Sequence, residues 1–203
     1  MNKKIKMLLP LALISIMNCY SQTSDEYKKR GNAKCDSLDY KGAIVEYSKA
    51  IEINPKNAEA YHNRGVAKAE LLDYRGAIDD YTKAIEIKPE QSLAYCGRGH
   101  AKSSLQDYIG AIADYTKAIE INPKNAEAYH NRGVAKAELK DNRGAIADYT
   151  KAIEINPKDA EAYQGRGLAK LLLGQTDAGC LDFSRAGELG YANAYDAIKK
   201  YCQ

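Results

Sequence analysis

Two apolar patterns of helical period lie next to each other in the stretch Ala126–Asp159, and the pair returns along the chain every 34 residues. The first pattern predicts a helix A from about Ala126 to Leu139, the second a helix B from about Arg143 to Ile155. Asn125 stands where an N-cap belongs, and Glu127 adds negative charge to the first turn. Asp141 is placed to cap helix B, as are Asp39, Asp73 and Asp107 in earlier copies. Pro157 lacks a backbone N–H and disfavours helix at the residue before it, so it ends helix B; Pro55, Pro89 and Pro123 recur at the same place. The connections are short, which forces neighbouring helices to run antiparallel.

The period divides the chain into Ser24–Asn57, Ala58–Gln91, Ser92–Asn125, Ala126–Asp159 and Ala160–Asn193, followed by a tail, Ala194–Gln203. A unit of this size cannot bury its apolar face alone, so the pattern predicts an all-α solenoid of stacked helix pairs. Small residues hold fixed places: Gly31, Gly65, Gly99, Gly133 and Gly167 on helix A, and Ala43, Ala77, Ala111, Ala145 and Gly179 on helix B. They let the backbones close to about 8 Å. Tyr27, Tyr61, Tyr95, Tyr129 and Tyr163 lead each helix A, and Tyr47, Tyr81, Tyr115, Tyr149 and Phe183 recur on helix B. A tyrosine stripe can stack a ligand, but one that recurs at helical spacing in every unit reads as core.

These residues resemble the tetratricopeptide repeat pattern: an aromatic, a hydrophobic–Gly pair, then Ala, an aromatic, Ala and Pro. In the fourth unit they are Tyr129, Arg132–Gly133, Ala145, Tyr149, Ala152 and Pro157. The resemblance spans residues 24 to about 193. It implies five helix-turn-helix repeats wound into a right-handed α-α superhelix, with helices A lining a concave groove. One departure is informative. Arg30, Arg64, Arg98, Arg132 and Arg166 stand where the family has Leu, and an acid follows sixteen residues later at Glu46, Asp80, Asp114, Asp148 and Asp182. Folding the hairpin about its turn sets the two opposite each other. That predicts a semi-buried Arg–carboxylate pair in each unit, with the arginine stem packing as Leu would. The alternative, a ladder of anion-binding arginines, has no spare charge once each arginine is paired.

The fifth unit drifts. Leu171-Leu172-Leu173-Gly174 replaces the polar end of helix A, and Tyr191 replaces the proline. Beyond it, 192–201 reads as a short capping helix with Tyr195, Ala197, Ile198 and Tyr201 facing inward, since a solenoid needs its last apolar face covered. Leu168, Leu171 and Leu172 are expected under that cap; the other reading makes them an apolar patch open to a partner. Cys180 and Cys202 are placed to form a disulfide that pins the cap, while Cys35 and Cys96, two units apart, are too distant to bridge.

The N-terminus changes the setting. Lys3, Lys4 and Lys6 precede a short apolar run, Met7–Met17, and polar residues follow at once. This is the pattern of a secretory signal peptide over residues 1–21, with Cys19 and Ser21 as the small residues before a cleavage at Gln22. The competing reading lipidates Cys19. Either way the rest of the chain is expected outside the cytoplasm, periplasmic, secreted or lipid-anchored. Those three lysines also account for the whole formal excess of +3, so the chain beyond residue 21 is neutral. A neutral chain without a basic stripe gives no support to nucleic-acid binding.

Candidate chemistry is sparse. His62, His100 and His130 are the only histidines. Cys96 and His100, four residues apart, can share a metal, but no further ligand stands close enough to complete a site. No phosphate loop, nucleophile elbow or HExxH motif occurs. Neither a cofactor, a catalytic residue nor a small-molecule substrate is expected. What remains is the groove, which the resemblance lines with Lys28, Asn32, Glu59, His62, Asn63, Leu93, Cys96, His100, Glu127, His130, Asn131, Gln164, Leu168 and Leu172. In some family members a Lys and an Asn on one repeat, an Asn on the next, and a Lys and an Arg on a third clamp a C-terminal carboxylate. Lys28, Asn32 and Asn63 match the first three, but Leu93 and Gly97 occupy the cationic places, so that ligand is not expected. The expectation is a non-enzymatic scaffold that holds a protein or peptide segment. An envelope hydrolase acting on peptide or glycan, and a self-associating structural protein, are the competing readings.

Overall fold

A computed structural model describes residues Thr23 to Cys202; the basic and apolar N-terminal segment with Cys19, and Gln203, lie outside the described residues. Among the described residues there are eleven α-helices and no strand. They are α1 (Ser24–Asp36), α2 (Tyr40–Ile53), α3 (Ala58–Glu70), α4 (Tyr74–Ile87), α5 (Ser92–Ser104), α6 (Tyr108–Ile121), α7 (Ala126–Glu138), α8 (Asn142–Ile155), α9 (Ala160–Leu172), α10 (Thr176–Glu188) and α11 (Asn193–Tyr201). Each odd-numbered helix from α1 to α9 packs on the helix after it as a hairpin, and each hairpin packs on the next. Helix A of one unit also touches helix A of the following unit, whereas no two helices B make comparable contact. Helices A therefore line the inside of the curve. None of the helices is long and apolar enough to cross a membrane.

The turns explain why the hairpins are alike. Each helix A ends in a left-handed residue, at Leu38, Leu72, Gln106, Lys140 and Gly174. The next residue turns its N–H back to the carbonyl five residues earlier, as Asp39 does to Lys34 at 2.8 Å, which closes the helix end. In four units that same residue is an aspartate whose carboxylate caps helix B; Asp141 accepts from the Gly144 N–H at 2.9 Å. One residue thus ends one helix and starts the next. Helix B of the fourth unit begins at Asn142, a residue before the predicted start.

The core is a column of alanines and rings. Ala43, Ala50, Ala60 and Ala67 are fully buried, as are their counterparts in later units, and Tyr47, Tyr115 and Phe183 are almost so. Each ring lies over the helix-A glycine of its own unit: a Cβ on Gly99 would sit 3.0 Å from the Tyr115 ring. Glycine is needed there because the helices close around the ring.

The arginine column forms the strongest polar contacts of the fold. In units two to five its guanidinium grips the aspartate with both nitrogens: Arg98 donates from Nε at 2.9 Å and from Nη2 at 2.6 Å to Asp114. Two partners were not foreseen. The lysine four residues on, Lys102, meets the same carboxylate at 2.8 Å. Nη1 of Arg98 reaches back to the Thr82 hydroxyl of the preceding unit at 3.1 Å, and Arg64, Arg132 and Arg166 do likewise to Ser48, Thr116 and Thr150. The guanidinium also lies over the ring of the tyrosine three residues before it, Tyr95 for Arg98 at 5.5 Å. In the first unit Arg30 lies over Tyr27, while Glu46 takes Lys49 at 2.9 Å.

The C-terminal end differs from the expectation. Helix α11 packs on α10, and Cys180 and Cys202 form a disulfide with Cα atoms 5.8 Å apart. The residue it buries is Ala194; Tyr195 lays its ring by Gly187 of α10 yet stays 64% exposed, and Ala197 and Ile198 are only half-buried. Leu168 and Leu172 stay exposed, at 46% and 64%. The physical reason is the packing partner. A helix seated on α10 cannot also roof the outer half of α9, so only Tyr201 reaches the leucines.

Two outcomes follow for stability. Asp114→Asn leaves Arg98 and Lys102 facing a neutral amide and is expected to cost about 2–3 kcal/mol in urea unfolding. Arg98→Leu is expected to cost about 1 kcal/mol less, because Lys102 still faces Asp114. The double variant should show a coupling of about 1–2 kcal/mol, and strictly additive single effects would refute the pair. Separately, Leu38→Gly relieves a left-handed leucine that is 72% exposed. The expected gain is about 0.5–1 kcal/mol, read as a raised Tm; an unchanged or lowered Tm would show that the turn carries no strain.

Candidate functional site

The inner face of helices A is a groove of linked depressions. At its N-terminal end Lys28 bonds Glu59 at 2.6 Å and Asp25 at 3.1 Å. The Glu59 carboxylate pushes the Lys28 pKa up, and Lys28 in turn holds Glu59 below the ordinary carboxylate range. Asn32 Oδ1 accepts from the Tyr47 hydroxyl at 2.8 Å and from Asn63 Nδ2 at 2.9 Å. The three residues that match a carboxylate clamp are thus bonded to neighbours within the chain, with the lysine charge already answered twice.

Next along the groove is a depression of about 460 Å³. Units two and three build it. Val66, Ala69, Glu70 and Leu72 come from α3 and its turn, Tyr74 and Tyr81 from α4, and Leu93, Cys96, Gly97 and His100 from α5; Glu127 of α7 closes the far side. Gly97 is there for space: a Cβ on it would lie 2.6 Å from the Tyr81 ring. His62 also lines this depression, with its ring 5.5 Å from that of Tyr81. Burial pushes the His62 pKa down and favours neutral imidazole, and Nδ1 has no hydrogen-bond partner.

His100 is exposed and borders three depressions. The second, about 360 Å³, is lined by Glu127, His130, Asn131, Asp159 and Glu161. The third, about 280 Å³, is lined by Ser103, Tyr108, Asn131, Val134 and Glu138. His130 Nδ1 lies 3.2 Å from Asp159, the N-cap of α9. Gln164 sits on α9 with its Oε1 buried and unbonded. Leu168, Leu171 and Leu172 form a separate hollow with Thr176 and Tyr201.

The structure brings His62, Leu93, His100 and Glu127 together around one depression, and Glu127, His130 and Asn131 around the next. Cys96 borders the first depression, as expected, but is only 7% exposed and packs with Ala118, Ile119 and Ala128, because its position lies where α5 meets the neighbouring hairpins. Burial pushes its thiol up to about 11, so it stays protonated at neutral pH and is no nucleophile. Among the described residues no three His, Cys, Asp or Glu side chains gather as a metal-binding group. Sequence reasoning missed Tyr74, Tyr108 and Asp159. The first two stand in the column that opens helix B, Tyr40, Tyr74, Tyr108, Asn142 and Thr176, where an aromatic that is not part of the core column was the available signal.

Comparisons with known proteins follow the same outline. Profiles described as "TPR repeat" match residues 31–71 and 99–140, and profiles described as "Tetratricopeptide repeat" match 58–91, 126–159 and 148–180. No curated protein is matched by the sequence. Among solved structures, MamA is 28% identical with a TM-score of 0.74, over 84% of this chain and 97% of its own. YrrB, described as a TPR protein with an unusual peptide-binding site, is 20% identical with a TM-score of 0.76, over 93% and 98%. PilF of Pseudomonas aeruginosa is 17% identical with a TM-score of 0.75, over 82% and 76%. With repeat profiles along most of its length and the same stacked-hairpin solenoid, the chain belongs to the tetratricopeptide repeat proteins.

Proposed function

We propose that the chain is a non-enzymatic scaffold of the cell envelope that holds an extended peptide or protein segment in its concave groove. The observation that carries this reading is the run of three depressions meeting at His100, open to solvent and lined by residues that differ from unit to unit. The repeated residues are consumed by packing, so the groove is where the units become individual. Asn131, which lines two of the depressions, offers its amide to a backbone lying along the helices. Tetratricopeptide repeats in general serve as non-catalytic scaffolds for protein or peptide partners. The N-terminal lysines, apolar run and small residues support export, and a Cys180–Cys202 bridge suits an oxidising compartment.

Location on the groove is the test. A photoreactive phenylalanine analogue placed at Val66 or His100 in the native host should give discrete adducts on irradiation. The same group at Val45 or Ile109, exposed on helices B, should not. Equal adducts from both faces would sink the groove as the binding surface. Export is checked by mass: the chain recovered from cells should begin at Gln22 or at a lipid-modified Cys19, and a chain retaining Met1 would refute it.

A further inference from the structure

The first depression has an apolar floor of Val66, Leu93 and the rings of Tyr74 and Tyr81, with Leu93 61% exposed. It has room for one large side chain and the backbone that carries it. The buried, unpartnered Nδ1 of His62 lies in the same floor, an unmet polar atom that a bound backbone can satisfy.

Acidic residues recur along the whole run: Glu70 and Glu127 border the first depression, Glu127, Asp159 and Glu161 the second and Glu138 the third, and no lysine or arginine lines any of the three. The helix-A cations nearby turn away: Lys102 and Lys136 are held by Asp114 and Asp148 within their own hairpins. In a chain that is formally neutral beyond residue 21, this is charge sorted onto one face, and it draws cationic partners. One substitution contributes to this: Glu161 of the second depression stands at the repeat position that Leu93 holds two units earlier.

We propose that the groove takes a basic, extended polypeptide segment, seating one large apolar side chain against Leu93 and Tyr74 and laying lysines or arginines along Glu127, Glu138 and Glu161. This rests on the reading of the groove as a peptide-binding surface and adds the chemistry of the partner.

Random dodecapeptides displayed on phage and selected on the folded chain, with its disulfide intact, test it. The selected peptides should carry an aromatic or leucine beside a cluster of Lys or Arg. Their affinity should fall about tenfold between about 0.1 and 0.5 M NaCl, as exposed charge pairs are screened. The three glutamates are exposed, so the variant Glu127→Gln/Glu138→Gln/Glu161→Gln should keep its helical spectrum and Tm while binding at least about tenfold more weakly. Leu93→Glu should weaken the same peptides comparably. Acidic or uncharged peptides that still crosslink to position 100 would overturn this inference and leave the peptide-binding reading standing. Basic peptides that bind the triple variant as tightly as the parent would also overturn it. Selection of nothing that contacts position 100 would overturn both.

Discussion

The two-pronged contact between an arginine on helix A and an aspartate on helix B sets the geometry of the solenoid. Arg98 and Asp114 meet through two parallel bonds, with the aspartate side chain 5% exposed. Such a fork tolerates little rotation of either helix, so it fixes how the hairpin is turned. A buried pair is a weak source of net stability, since desolvation offsets most of its attraction. Its effect is on register. The third nitrogen of each guanidinium then reaches the hydroxyl on helix B of the unit before, Thr82 for Arg98, so the group that orients one hairpin also docks it on its neighbour. The ring of Tyr95 closes the remaining side of the guanidinium.

With orientation settled by polar contacts, the apolar residues are left to set spacing. Alanines face alanines between helices, and each ring of the Tyr47 to Phe183 column fills the slot that a glycine leaves. The inner ends of helices A are thereby freed from stabilising the fold. Exposed or half-buried positions such as His62, Leu93, His100 and Glu127 vary between units while the hairpin around them does not. Their arrangement gives the groove an apolar floor at Leu93 and carboxylates along its borders.

Much of this is legible in the sequence because repetition exposes it. An arginine and an acid sixteen residues apart mean little once; at the same two places in every unit they predict contact across the hairpin. The lysine column was equally regular, yet a lysine on an amphipathic helix reads as solvated, and the turn of Lys68, Lys102, Lys136 and Lys170 toward the aspartate shows only in the structure. The threonine contact was hidden for another reason: it crosses between units, and the fold of one hairpin does not reveal it. Helix α11 was misread because it has no copies. A single amphipathic pattern shows which residues are apolar but not how far a neighbour covers them, and Tyr195 rests by Gly187 of α10 while staying largely exposed. In the groove, the aromatic residues that open α4 and α6 were overlooked because tyrosine in this chain is so often core.

The place occupied by Gly97 and Gly165, and by Asn63 and Asn131 in the units before them, has a consequence for the seam between hairpins. Where glycine stands, the tyrosine ring of the previous unit slides under helix A; a Cβ at either glycine would lie 2.6 Å from that ring. Where Asn63 stands, the ring before it, Tyr47, bonds Asn32 beside it. The rings of Tyr81, Tyr115 and Tyr149 lie alike over the glycines of their own units, whichever residue follows. The fit of one hairpin on the next is therefore decided by a single position on the incoming helix A.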